Sequence, residues 1–346
     1  MSRPLASEDL DHMLRHAEVA WQDLRGKSLF ITGGTGFFGR WLLEGLVHAN
    51  QKLSLELRAT VLTRDPAAFA LRAPHLASRP EIRLHPGDLR DFEFPEGRFT
   101  HLIHAGTTSA YHIDSAEMFD AILRGTRHVL EFAAQCGVQK LLFTSSGAVY
   151  GRLPPEITHV TEEHAGAPDC TLPSSAYGEG KRAAELMCVL AASKHGFEAK
   201  IARCFAFVGP HLPQDSHFAI GNFIRDVHAG EDIRILGDGQ PRRSYLYAAD
   251  LAVWLWTILN QGQASRAYNV GSAEGLSIFE TAQTVLRAAG STRAIHVAQR
   301  PAPGQLPTGY VPCIRRAAEE LGLEVRVPLS EAVQRTLHWT RHGSAL

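Results

Sequence analysis

The chain has 346 residues, 45% of them hydrophobic and 21% charged, with a formal net charge of −1. This is the balance of a soluble globular protein long enough for one large or two medium domains. It excludes a basic stripe for nucleic acid and an acidic solvating tail. The five cysteines, Cys136, Cys170, Cys188, Cys204 and Cys313, form no CxxC pair, so a reducing compartment is expected rather than a disulfide framework. No apolar run reaches the ~20 residues of a membrane span. Glu8, Asp9 and Asp11 precede any apolar stretch, unlike a secretory signal, so a cytoplasmic protein is expected. The 18 histidines include the pairs His12/His16 and His101/His104, yet no His, Cys and acid cluster has zinc spacing, and no metal is expected.

Residues 1–26 read as a polar helical lead-in. Strands and helices then alternate. Lys27–Thr32 is a short apolar strand ending in glycines, and Phe37–His48 has helical periodicity. Strands follow at Arg58–Thr63, at Glu81–His85 and at His101–His104. Met118–Cys136 is a long helix, Lys140–Ser145 a fifth strand, Ser175–His195 a helix closed by Gly196, and Glu198–Arg203 a sixth strand. This order predicts an α/β fold with a doubly wound parallel sheet covered by helices on both faces. After Gly209-Pro210 the pattern loosens. His211–Phe218 is loop-like, helices are expected near Gly221–Ala229, Ala248–Gln261 and Ser277–Ala289, and short strands near Ile233–Leu236, Ala267–Val270 and Ile295–Val297. Residues 210–346 thus form a smaller mixed region, with strands free to return to the main sheet, packed near the carboxyl ends where open α/β sheets bind ligands.

Thr32-Gly33-Gly34-Thr35-Gly36-Phe37-Phe38-Gly39 lies between the first strand and the first sheet helix. Gly33, Gly36 and Gly39 fit GxxGxxG, and Gly34, Gly36 and Gly39 fit GxGxxG. In that position the missing β-carbons let the backbone approach a pyrophosphate, and the helix N-terminus supplies N–H donors and partial positive charge. Residues 27–209 are therefore expected to form a Rossmann-type dinucleotide domain, with a cradle made of Gly33, Thr35, Gly36, Phe37, Phe38 and Gly39. An NAD site usually ends its second strand in a carboxylate on the ribose 2′-OH. Here the strand ends in Thr63 and Arg64, and Arg64 suits a 2′-phosphate. The cofactor is thus NAD or NADP, with a lean to NADP; Asp65 reverses the lean if the strand runs two residues longer. Asp88, after the third strand, is placed to accept from the adenine amino group, with Leu89 beside it.

Tyr177 and Lys181 lie four apart at the start of a helix, on one face. Tyrosine ionises near pH 10, too high for a base at neutral pH, but a nearby ammonium favours the phenolate. Lys181 can also hold the nicotinamide ribose. Ser146, past the fifth strand, is placed to hydrogen-bond the reacting oxygen. Together the three can take a proton from a carbinol as hydride leaves for a nicotinamide.

These residues carry a resemblance. TGGTGFFG (Thr32–Gly39), GDL (Gly87–Leu89), HAG (His104–Gly106), TSSGAVYG (Thr144–Gly151), YGEGK (Tyr177–Lys181), GDGQPRRSYLYAAD (Gly237–Asp250) and YNVG (Tyr268–Gly271) follow one another from Lys27 onward. In this the chain resembles extended short-chain dehydrogenase/reductases of the NAD-dependent epimerase/dehydratase family, which act on nucleotide sugars. The resemblance implies that Ser146, Tyr177 and Lys181 are the catalytic set, and that Ala105, Gly106 and Thr107 line the nicotinamide side. It implies a nucleotide-sugar substrate held by Thr108, Ser145, Ser146, Gly147, Ala206 and Asn222, with Arg243 and Arg300 on its diphosphate. It also implies a homodimer formed through the helices Met118–Cys136 and Ser175–His195.

Several positions depart from the family pattern. Its 4,6-dehydratases carry Asp-Glu directly after the catalytic hydroxyl, and its decarboxylases usually a Glu; here stand Gly147-Ala148, neither able to transfer a proton. Ile122 takes the place of an Asn ahead of Gly125-Thr126, and Ala206 that of a substrate-contacting Asn, with the bulky Phe207 next to it. 4,6-Dehydration is disfavoured and an altered sugar pocket expected. The expected reaction is epimerisation at C4 of a nucleotide-activated hexose, or else NADPH-dependent reduction of a 4-keto sugar nucleotide. Reduction of a non-nucleotide ketone in a pocket lined by Phe205, Phe207 and Phe218, and a catalytically silent dinucleotide sensor, are the remaining readings.

Overall fold

The computed structural model describes residues 3–106, 114–214, 218–301 and 307–343. Two helices come first, α1 (Ser7–His16) and α2 (Glu18–Asp23). An alternating run follows: β1 (Ser28–Thr32), α3 (Phe37–Leu53), β2 (Arg58–Thr63), the short α4 (Pro66–Arg72) and α5 (Pro74–Ala77), β3 (Ile82–Pro86), β4 (His101–His104), α6 (Ser115–Gln135), β5 (Lys140–Ser146), α7 (Ala176–His195) and β6 (Glu198–Cys204). Beyond it lie β7 (Phe207–Val208), α8 (Ala219–His228), β8 (Ile233–Ile235), β9 (Arg242–Arg243), β10 (Leu246–Tyr247), α9 (Ala248–Gln261) and β11 (Arg266–Val270). The chain continues through β12 (Leu276–Ser277), α10 (Ile278–Ala289), β13 (Ile295–Val297), β14 (Gly309–Tyr310), α11 (Arg315–Leu321) and α12 (Leu329–Gly343).

Capping sets the ends that periodicity misjudged. Asp114 accepts from the backbone N–H groups of Ala116 (2.9 Å) and Glu117 (3.3 Å), so α6 starts three residues before the apolar stripe at Met118. The polar run past His48 stays helical until Ser54, which takes a left-handed conformation (φ 50°). Gly196 closes α7 in the same conformation, as its position after His195 predicts.

The seven-stranded sheet has the order β11-β6-β5-β4-β1-β2-β3, with every pairing parallel. The chain moves outward from β1 through β2 to β3, then crosses to β4 and outward again. Helices therefore leave β1 and β4 on opposite faces, and a crevice opens at their carboxyl ends. Period-two alternation divides the core: Leu29 and Ile31 join one hydrophobic cluster with Trp41, Leu42 and α9, while Phe30 joins another with Phe92, Phe99 and Phe132 beneath α6 and α7.

The N-terminal helices are not a solvated lead-in. Met13, Ala17, Ala20, Trp21 and Leu24 form one stripe across both and are buried in the first cluster. The Trp21 and Trp256 ring centroids lie 5.0 Å apart. Asp9 accepts from Tyr247 Oη (2.7 Å) and Arg335 Nη1 (2.8 Å), and His12 Nε2 bonds Asp250 (2.7 Å). The polar residues of this segment thus cross-link α1 to α9 and α12.

Candidate active site

The glycine turn sits at the crevice between β1 and β4. Gly33 has φ +72°, and a Cβ there would stand 2.5 Å from the Ala105 carbonyl carbon, so the loops after β1 and β4 touch backbone to backbone. A Cβ on Gly39 would fall 2.2 Å from Gly34 Cα, which presses the first turn of α3 onto the loop. At Gly36, the exposed N-cap of α3, the nearest atom to such a Cβ is Gly33 O at 3.4 Å. The cradle is therefore closed towards the protein and open at Gly36, with Thr35, Phe37 and Phe38 half-buried around it. This arrangement fits a pyrophosphate on backbone N–H groups at a helix N-terminus.

Beneath the crevice runs a polar chain that the sequence did not disclose. Gly106 N–H donates to Thr32 Oγ1 (2.9 Å), which bonds His104 Nδ1 (2.9 Å), while His104 Nε2 bonds Thr126 Oγ1 (3.1 Å). Complete burial pulls the His104 pKa down to about 3, so the ring is neutral, one nitrogen donating and the other accepting. This chain fixes Ala105 and Gly106 beside the glycine turn.

At the second strand the backbone ends at Thr63, and the Asp65 carboxylate caps α4 by accepting from Ala68 N–H (2.8 Å). No carboxylate closes β2; Arg64 is exposed there. Asp88 receives Arg90 Nε (2.7 Å), and that guanidinium holds its pKa below the usual value with help from Arg64. Leu89 packs against Gly125 of α6.

At the end of β5, Ser146 Oγ accepts from Ala148 N–H (3.1 Å) and caps a one-turn 3₁₀ helix, Gly147–Tyr150. The first turn of α7 lies against this turn: a Cβ on Gly178 would meet Ala148 O at 2.7 Å. That contact carries the half-buried Tyr177 alongside. One turn further, Lys181 is buried, donates to Thr144 O (2.9 Å), and has Nζ 5.9 Å from the Tyr177 ring centroid and 4.8 Å from that of Phe143. Burial lowers the Lys181 pKa to about 8. A phenol, a buried amine and a capping hydroxyl thus share the end of β5, next to the loops after β1 and β4. In this order they can move a proton at one substrate oxygen.

One expected contact is corrected. Ser145 Oγ donates to Glu185 Oε1 (2.5 Å), within an ion pair that Glu185 makes with Arg203 (2.7 Å). Adjacent strand residues face opposite ways, so Ser145 points away from the face that Ser146 serves. Arg243 lies on β9, donates to Arg242 O (2.8 Å), and stands 5.6 Å from the Tyr310 ring centroid. Ala206 is half-buried just after β6, Asn222 Oδ1 accepts from Arg225 (3.3 Å), and Arg300 is exposed. Thr107 and Thr108 lie outside the described residues. Among the described residues, no group of three His, Cys, Asp or Glu is placed to hold a metal ion, and no helix is long and apolar enough to cross a membrane.

Residues 29–271 match the NAD-dependent epimerase/dehydratase family. The chain belongs to that family. Among curated relatives, UDP-glucuronic acid decarboxylase 1 of Xenopus tropicalis is 28% identical over 316 residues, 91% of this chain and 72% of that protein. Among solved structures, UDP-glucose 4-epimerase from Thermotoga maritima with UDP-glucose superposes with a TM-score of 0.77 at 20% identity, covering 92% of this chain and 99% of that one. The Thermus thermophilus UDP-glucose 4-epimerase complex with NAD gives 0.74 at 24%, covering 92% and 100%. At these identities the structural likeness concerns the fold. The resident cofactor named by the family agrees with the open cradle at Gly36.

Proposed function

We propose that this family member acts at C4 of a nucleotide-activated hexose and epimerises it, with Ser146, Tyr177 and Lys181 as its catalytic set. The observation that carries the reading is the end of β5, where no carboxyl group follows Ser146. Family members that eliminate or decarboxylate place an acid there; here the space beside Gly147 is filled by Phe205 and Tyr310. What remains is a proton-transfer site at one oxygen. Bound NAD, held by the Gly33–Gly39 turn, Asp88, Leu89 and the Ala105-Gly106 loop, supplies reversible hydride exchange with the sugar carbon.

Ser146 Oγ accepts from Ala148 N–H and donates a hydrogen bond, without transferring its proton, to the sugar oxygen. Tyr177, as phenolate, takes the carbinol proton and returns it when the ketone is reduced. The Lys181 ammonium stabilises that phenolate from one helical turn away. Arg243 and Arg300 bind the diphosphate, with Ala206 and Asn222 towards the sugar. The test is purified protein with UDP-glucose and UDP-galactose. Interconversion without added cofactor, with NAD retained through purification, is the expected result. Absence of turnover with both, and with their dTDP counterparts, rejects the epimerase.

A second reading has its own observation. Asp65 is committed to capping α4, which leaves Arg64 as the charged side chain at the end of β2. That favours NADP and net reduction of a 4-keto-6-deoxy sugar nucleotide. Stoichiometric NADPH consumption with such a substrate selects this reading. The exposed Leu186 and Leu190 of α7 and Phe119 of α6 support a homodimer through these helices. Analytical ultracentrifugation with Leu186→Glu tests it, the variant sedimenting as a monomer.

A further inference from the structure

Glu185 follows Tyr177 and Lys181 on α7 at the same four-residue step, so the three share one face of the helix. Its side chain is buried, and two strands hold it. Ser145 Oγ of β5 donates to Glu185 Oε1 (2.5 Å). Arg203 of β6 donates from Nε to Oε1 (3.0 Å) and from Nη2 to Oε2 (2.7 Å). Ser145 directly precedes Ser146, so this grip joins α7 to the strand end that carries the serine. The other arm of the same guanidinium reaches the 3₁₀ turn that Ser146 caps. Arg203 Nη1 donates to Tyr150 Oη (3.0 Å), whose own proton goes to Asn269 Oδ1 of β11 (2.7 Å). One buried ion pair therefore ties together α7 and the end of β5.

Apolar packing by itself would leave α7 room to slide. Its buried face carries Gly178, Gly180, Ala184, Cys188 and Ala192, small side chains that offer few ridges to lock the helix along its axis. Lys181 and Glu185 are the charged members of that face. A guanidinium that meets a carboxylate at two points fixes distance and angle at once, and setting register is the best-attested use of a buried polar contact. Ser145 faces away from the crevice, and Glu185 lies one turn beyond Lys181. The pair thus acts through the residues its elements carry rather than on a substrate.

We propose that Glu185 is a positioning residue for the proposed catalytic set, its grip on Ser145 and Arg203 fixing the depth at which α7 presents Tyr177 and Lys181 to Ser146. This rests on the reading of Ser146, Tyr177 and Lys181 given above. A misplacement of about 1 Å at reacting groups costs on the order of 10²-fold in rate. Binding of the dinucleotide and the diphosphate, which that reading assigns to other loops, is spared.

The test compares wild type, Glu185→Gln, Ser145→Ala, the double variant and Tyr177→Phe for kcat per folded protein, KM with UDP-glucose, retained NAD and thermal unfolding. Glu185→Gln keeps the reach of the side chain but not the charge that holds Arg203 at two points. Ser145→Ala leaves the ion pair intact and reports even where Glu185→Gln does not fold. Turnover should fall about 10–10²-fold in Glu185→Gln and at least about threefold in Ser145→Ala, with KM and NAD content within about threefold in both. The double variant should lose little more than Glu185→Gln, because the two substitutions act through one bond. Ser145→Ala with wild-type kcat, or a loss in either variant that appears in KM or melting temperature alone, overturns the Glu185 assignment; an inactive Tyr177→Phe then leaves the catalytic set standing. Tyr177→Phe with wild-type kcat, or a wild type that turns over neither UDP-glucose nor its dTDP counterpart, overturns the catalytic reading and this proposal with it.

Discussion

At Lys181, burial that holds the side chain in place and the charge its proposed role needs pull against each other. Burial lowers its pKa to about 8, so the ammonium is present below that pH and lost above it. In the proposed catalytic set a phenolate at Tyr177 then loses its stabilising charge, and kcat should fall as pH rises past about 8. Arginine stays charged throughout this range. Lys181→Arg, though slower overall, should move that limb upward in a pH–rate profile; a limb that stays put belongs to another group. Tyr177→Phe should cost roughly 10²–10⁴-fold in kcat while dinucleotide affinity by calorimetry stays within a few-fold. Gly33→Ala forces a left-handed alanine, about 1–2 kcal/mol, onto an Ala105 carbonyl 2.5 Å away. A lower melting temperature and weaker dinucleotide binding are expected together. The proposed set Ser146, Tyr177 and Lys181 is readable in the sequence as residue types at fixed spacing. Ser145 was misread, though the two-residue period of a strand held the signal: if Ser146 faces the crevice, its neighbour does not.

Among the elements, the junction of the paired strands β1 and β4 does most to create the site, and its polar seam has a cost. Thr32, His104 and Thr126 join β1, β4 and α6 through a ring that stays neutral because burial, with Lys181 nearby, lowers its pKa from 6.5 to about 3. Between those values the unfolded chain binds a proton that the native protein does not. Stability is therefore lost as pH falls from about 6.5 towards about 3, by up to roughly 1.4 kcal/mol per pH unit within the window. The depressed Glu44 carboxyl adds a loss of the same sign, in acid. Urea unfolding at pH 7 and pH 5 should show a smaller difference for His104→Asn than for wild type. Equal differences sink the assignment to His104. The element order was readable from apolar runs and glycine punctuation, which are local. Helix ends were less so, because Asp114 acts through two capping hydrogen bonds and Ser54 through one backbone angle.

Over the whole molecule, the N-terminal helices pack on α9 and are tied to the last helix, α12. Leu5, Met13, Trp21 and Leu24 are buried in the first cluster, and Arg335 of α12 reaches Asp9 of α1 (2.8 Å). Each fully buried large side chain is worth roughly 1.5–3 kcal/mol, against a net stability of about 5–15 kcal/mol for a folded domain. Removing residues 1–24 also uncovers Trp256. The truncated protein should therefore fail to fold or melt far below the full chain, as circular dichroism on heating reports; an unchanged melting temperature refutes the cross-link. The same helices looked like a polar lead-in because charged residues dominate their composition, while the stripe Met13-Ala17-Ala20-Trp21-Leu24 runs across a helix break.

Taken alone, the order of residues determined the alternating strands and helices, the glycine turn and the Tyr177/Lys181 spacing, because each depends on backbone conformation within a few residues. Only the tertiary structure decided that Tyr310 and Phe205 stand against Gly147, that His104 threads the central strands, and that Asp9 meets Arg335. Those meetings join segments far apart in the chain. They are set by strand pairing and core packing, which no local pattern encodes.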